Sequence, residues 1–239
     1  MIINEHNLIP RLLQKIPGLT IHQFLSINKI LFIVNPKVGS SSVIFSMLKS
    51  YLDKENVSRL DFYKHVSFSG SKKLKSKSEE SNFNFAITRD PFSRLYSCYK
   101  QKILIDDTPR YTKNYFFQYY PLIKSEQNFR DFVKAVCKIP DYLSEKHFMS
   151  QSRILNYSKN TFNINKFYKI SNLSLLEEDL KHEFSANFKL EKRNISNKKN
   201  IDLLQVYDEE LISLVYKRYQ ADINNFNYVN IYEQLMDNL

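Results

Sequence analysis

Twice in this chain a short apolar run breaks off near a proline and hands over to a helical pattern, and that repeated change of period restricts the fold more than any other feature. The first run, residues 30–34, is rich in β-branched and aromatic side chains, as a strand buried on both faces is, and Pro36 ends it. Beyond it Val43, Phe45, Met47, Leu48 and Tyr51 recur at helical spacing. The second run centres on Phe85, Ala86 and Ile87. Asp90 then reads as an N-cap and Pro91 as a first helical residue, so the boundary falls just after Arg89. Strand feeding helix is the unit of a parallel sheet covered on both faces, which predicts an α/β fold with a central parallel sheet flanked by helices. Strands are expected at 30–35, 62–67, 84–88 and 166–170, and helices at 42–52, 91–104, 128–138, 144–156, 172–184 and 208–223. No internal repeat is found.

The polar loop between the first strand and its helix presents backbone N–H groups at a helix N-terminus, where unpaired donors and the macrodipole favour an anion. Lys37 adds a positive charge there, ahead of Gly39 in a chain with only three glycines. The spacing GxxxxGK[ST] of nucleotide-hydrolysing loops is absent, so the reading is phosphate binding without the Mg-ATP signature. A ligand-free turn capped by serine is the plainer alternative. In the second segment Arg89 lies at the carboxyl end of its strand, where open parallel sheets bind ligands, and a guanidinium clamps anions bidentately. Ser97, two turns into the helix, adds a neutral hydroxyl. The plain alternatives are a salt bridge from Arg89 to an acid such as Asp90 and a solvated helix face for Arg94.

Taken together, strand-PKxGSSS-helix followed by strand-RDPxxRxxSxY-helix resembles the sulfotransferases, specifically their carbohydrate-modifying, family 2 branch. Weaker echoes follow in HFMSQSRIL (147–155), KFYKIS (166–171) and RNISNKK (193–199). The resemblance implies a P-loop-like sulfotransferase fold and 3'-phosphoadenosine 5'-phosphosulfate as co-substrate, with no metal. It maps Lys37, Val38, Gly39, Ser40, Ser41 and Ser42 onto the cradle of the 5'-phosphosulfate, and Arg89 with Ser97 onto the 3'-phosphate. Asn194 and Ser196 map onto a segment that folds over the nucleotide. His65 in FYKHVSF matches the second histidine of a His-x-His in related 2-O-sulfotransferases, where it is the catalytic base; Tyr63 stands at the first position. Lys37 is then expected to stabilise the leaving phosphate, and His65 to deprotonate the acceptor, a task suited to a group titrating near neutrality. A half-buried structural histidine is the alternative for His65, and His147 is the second candidate base.

The chain has 239 residues with 18 Phe, 16 Tyr and no Trp, enough for one large core, and it is read as a single domain with an N-terminal extension at 1–28 and an aromatic insertion at 106–127. That insertion reads as a flap with an acceptor-facing side, or as an irregular flap that caps the core. The two cysteines, Cys98 and Cys137, fall in helical patterns and lack metal-ligand spacing, so they read as small core hydrophobes in a reducing compartment. The first 28 residues carry Glu5, Arg11, Gln14 and Lys15, which leaves no apolar stretch long enough for a signal or anchor. The expected location is cytoplasmic, with peripheral membrane contact left open. A net charge of +10 suggests an anionic ligand. The basic clusters at 72–77 and 191–199 show no nucleic-acid recognition pattern; the first reads as a solvated mobile loop. The expected partner is a carbohydrate acceptor, such as a bacterial surface glycan, and nucleic acid is disfavoured. The competing function is a P-loop-like nucleotide-binding protein or kinase using ATP.

Overall fold

The computed structural model describes residues 21–104, 120–185, 187–191 and 202–239. The chain forms two compact units, one built on Thr20–Arg89 and Ile154–Asn197, the other on Asp90–Arg153 and Lys198–Leu239.

The first unit carries a five-stranded sheet. Its strands are β1 (His22–Ile27), β2 (Ile30–Val34), β3 (Val66–Ser69), β4 (Phe83–Thr88) and β5 (Lys166–Lys169), in the order β3-β1-β2-β4-β5. β2, β4 and β5 are parallel, the arrangement expected of strand-to-helix repeats. β1 runs antiparallel to both β2 and β3, so the sheet is mixed. The reason is the connection: Asn28 and Lys29, both at positive φ (48° and 62°), form a two-residue turn, which can only join antiparallel strands. β1 lies inside the stretch read as an N-terminal extension; its polar residues, Gln23 and Ser26, obscure the alternation in which His22, Phe24, Leu25 and Ile27 are buried.

Around the sheet are α1 (Ser40–Leu52), α2 (Arg59–His65), α3 (Ser71–Glu80) and, beyond β5, α7 (Ser174–Glu183). Ile30, Phe32, Val34, Phe85, Ile87 and Tyr168 from one sheet face join Val43, Ile44, Met47 and Leu48 of α1 and Leu176 and Leu180 of α7 in a single core. Phe32 and Phe85 stack at 4.8 Å across the β2–β4 pair. Each such fully buried side chain stabilises by about 1.5–3 kcal/mol.

Two local expectations change. Residues 62–67, read as a strand, split into the end of α2 and the start of β3, because Ser58 and Asp61 form a reciprocal capping box that starts a helix. The cluster at 72–77, read as a mobile loop, is the helix α3: Leu74 and Ser78 are buried four residues apart while Lys75 and Lys77 pair with Glu79 and Glu80.

The second unit is helical. α4 (Pro91–Tyr99) continues as one π-helical turn over Lys100–Leu104, followed by α5 (Phe129–Lys138), α8 (Glu209–Asn225) and α9 (Val229–Asp237). The short α6 (Gln151–Ile154) replaces the longer helix expected at 144–156. Its start is held by the buried Asp222, which accepts from the N–H groups of Gln151 and Ser152 at 2.7 Å each. Arg94 does not lie on a solvated face: it is 2% exposed and donates to the carbonyls of Met149 and Lys146 at 2.8 and 3.0 Å. Cys98 is buried and Cys137 partly so, and both are free thiols. Tyr120, in the stretch read as an aromatic insertion, is buried and donates to the Leu143 carbonyl at 3.0 Å, whereas 105–119 fall outside the described residues. Among the described residues no helix is long and apolar enough to cross a membrane.

Candidate active site

The parallel register sets the site. Ile33 stands beside Ala86, so continuing both strands brings Asn35 level with Thr88 and Pro36 level with Arg89. The two turns that follow therefore leave the sheet side by side at its carboxyl edge, the edge at which such sheets bind ligands.

The loop after β2 is pinned at both ends. Asn35 is fully buried, and its side-chain amide donates to the Ile87 carbonyl of the neighbouring strand at 3.2 Å. Ser40 closes the loop by donating its hydroxyl to the Asn35 carbonyl at 2.5 Å. Between these anchors Lys37 and Gly39 adopt the left-handed region, at φ 71° and 76°. For a lysine that conformation costs about 1–2 kcal/mol, so the surroundings must hold it. Arg89 contributes, with Nη1 donating to the Lys37 carbonyl at 3.2 Å. Gly39 is required by its φ and not by crowding, since a Cβ there would meet only the Ile170 side chain, at an ordinary 3.5 Å for its nearest atom.

Gly39 is also the N-cap of α1. It offers no capping side chain, and the first turn of α1 holds no acidic residue. The Ser42 N–H turns back to the Gly39 carbonyl at 3.0 Å, while the N–H groups ahead of it lie where no carbonyl of the helix can reach. Two left-handed residues, helix-start donors, Lys37 and Arg89 make a cationic cradle of the chemistry that binds phosphate or sulfate. These residues fit the two anionic ends of 3'-phosphoadenosine 5'-phosphosulfate in charge and donor type.

The expected site residues divide accordingly. Lys37, Val38, Gly39, Ser40, Ser41, Ser42 and Arg89 come together in the first unit, with Val38 buried and Gly39 and Ser41 exposed. The Ser40 hydroxyl proton is committed to the loop itself. Ser97 is half-buried on α4 of the second unit. Ser196 and Asn194 lie outside the described residues. His65 stands apart from the loop. Val66 pairs with Leu25, which pairs with Phe32, so β3 starts midway along β2 and His65 precedes it on the amino-edge side. Its ring meets Tyr51 edge-on at 5.9 Å, and Tyr51 lies at the far end of α1, roughly 16 Å along the axis from Ser40 at about 1.5 Å per residue. His65 Nδ1 is 2.8 Å from the Asp61 carbonyl, within its own helix.

The other described histidines differ in setting. His22 is 3% exposed and packs edge-on against Phe162, with Nε2 2.9 Å from the Ser71 hydroxyl; burial lowers it to about 4. His182 is exposed on α7. His147, in the second unit, has Nδ1 2.6 and 2.8 Å from the two carboxylate oxygens of Glu145. Burial pushes the imidazole below its ordinary value against the pull of Glu145, helped by the charges of Lys102 and Lys146. Burial works to raise Glu145, but His147, Lys102 and Lys146 together hold it below the usual carboxylate range. One fifth of the His147 side chain is open to solvent.

Sequence reasoning passed over Asn35, Glu145 and Ile170. A buried asparagine closing an apolar strand was the available signal for the first, and a carboxylate two residues from a histidine for the second.

The sulfotransferase family model matches residues 26–229, a span that contains both turns. The chain belongs to the sulfotransferase family, of the family 2 type. It is therefore a transferase, and sulfuryl transfer is its general chemistry. No curated protein and no solved structure matches it.

Proposed function

We propose that this sulfotransferase moves the sulfuryl group of 3'-phosphoadenosine 5'-phosphosulfate to a hydroxyl of a carbohydrate, an O-sulfation of a bacterial surface glycan. What supports the donor assignment is the Arg89–Lys37 contact, which brings the guanidinium of the second motif onto the backbone of the first beside an uncapped helix start. In this reading the N–H groups of Val38 through Ser41 and the Lys37 ammonium hold the 5' end. Lys37 stabilises the charge gathering on the leaving phosphate oxygen as the sulfur–oxygen bond breaks, the term that dominates the related phosphoryl transfers. Arg89, and Ser97 by its motif, serve the 3'-phosphate.

For the proton acceptor, His65 stands apart from the loop within its own unit, and the Glu145–His147 pair of the second unit has the chemistry of a base. A carboxylate on Nδ1 fixes the tautomer that leaves the Nε2 lone pair available. A base of that kind takes the acceptor's hydroxyl proton as its oxygen bonds to sulfur, and releases it to water afterwards.

Calorimetry with adenosine 3',5'-bisphosphate against ATP and Mg²⁺ tests the donor. Binding of the bisphosphate, abolished in Lys37→Ala, is the expected result; preference for ATP with Mg²⁺ overturns the reading in favour of a kinase-like protein.

A further inference from the structure

Resting on the donor assignment above, we propose that Arg89 is a positioning residue for the phosphate loop as well as a ligand for the nucleotide: it locks the peptide between Lys37 and Val38 so that the loop offers an N–H, and not a carbonyl, to the anion. Arg89 Nη1 donates to the Lys37 carbonyl at 3.2 Å. Among the described residues every peptide is trans, and a trans peptide holds its C=O and its N–H on opposite sides of one plane. Drawing the Lys37 carbonyl toward Arg89 therefore turns the Val38 N–H away from Arg89.

The lock acts on a part of the loop that the Asn35 and Ser40 bonds do not reach. Asn35 is anchored on β4 and Ser40 is anchored on Asn35, but neither bond constrains the Lys37–Val38 plane. Lys37 sits there in a left-handed conformation that a lysine does not favour, so releasing its carbonyl would let the plane rotate and bring a carbonyl oxygen into the space of the bound anion. The guanidinium is suited to the task because its planar fork can hold a carbonyl with one N–H and leave others for a phosphate.

Two nucleotides separate the positioning role from a pure ligand role. Adenosine 3',5'-bisphosphate carries a 3'-phosphate, and adenosine 5'-phosphosulfate does not. A residue that only grips the 3'-phosphate affects the first alone. A residue that also shapes the loop affects both. Calorimetry on wild type and on Arg89→Met is expected to show the affinity for both nucleotides weakened tenfold or more. Arg89→Gln, which keeps an N–H donor but no charge, is expected to restore the phosphosulfate to within threefold of wild type while the bisphosphate stays weak. Should Arg89→Met melt early, the Arg89→Gln comparison alone decides the matter. The proposal is overturned if either variant loses the bisphosphate and Arg89→Met leaves the phosphosulfate untouched, or if Arg89→Gln loses both equally. It is also overturned if the wild type binds the bisphosphate but not the phosphosulfate. Failure of the wild type to bind either nucleotide would instead refute the donor assignment itself.

Discussion

Two helices open the two motifs, and they begin in opposite ways. At α4, Asp90 caps the helix, accepting from the Ser93 N–H at 2.8 Å and from the Ser93 hydroxyl, and Pro91 removes one donor outright. At α1 the cap is Gly39, with no side chain to accept and no acid in the first turn. The first start satisfies itself, whereas the second leaves its donors and its share of positive dipole for something from outside. Two segments that look alike as strand–turn–helix thus differ in whether the turn needs a ligand, and the difference lies in the residue at the cap.

The comparison can be broken most severely at Lys37. Lys37→Ala should lower release of adenosine 3',5'-bisphosphate from the donor by roughly 10²–10³-fold, the usual loss when a group stabilising developing charge is removed, with the melting temperature little changed. Making α1 resemble α4 is next. Gly39→Asp puts a carboxylate at the bare helix start, and calorimetry should show bisphosphate affinity falling by about tenfold or more, along with about 1–2 kcal/mol of stability lost to the left-handed backbone. The converse change, Asp90→Ala, should cost about 1 kcal/mol in denaturant unfolding through the lost cap while bisphosphate affinity stays within twofold. The smallest effect is expected at His65, whose replacement by alanine should leave bisphosphate release within threefold of wild type. A loss of a hundredfold there would return the role of base to His65.

The legible parts of this fold were those where local pattern and tertiary structure agree. β2 and β4 are short, largely apolar runs with clear stops, so their existence and their parallel pairing followed from the residues. β1 was missed because a two-residue turn built from Asn28 and Lys29 carries no glycine, and lysine is a poor herald of positive φ. The strand expected around His65 failed because two short-range signals compete there, and the capping box of Ser58 and Asp61 won. Within the site, the residue types that touch anions were visible, but the inward-facing bonds of Asn35, Ser40 and Arg89 were not. A spacing motif records which side chains are present at a turn and cannot tell which of them face the ligand and which hold the backbone.

The position of β1 also bears on how this protein can be cut. The family match starts at residue 26, inside a strand that runs from His22 to Ile27, and among the described residues β1 is the strand that joins β3 to the rest of the sheet. An expression boundary drawn at the match would strip four of the six residues from that strand, remove the pairing that holds β3, and expose the flank of β2 to pairing with a second molecule. Preparations trimmed there should aggregate, and those that keep the chain through His22 should not.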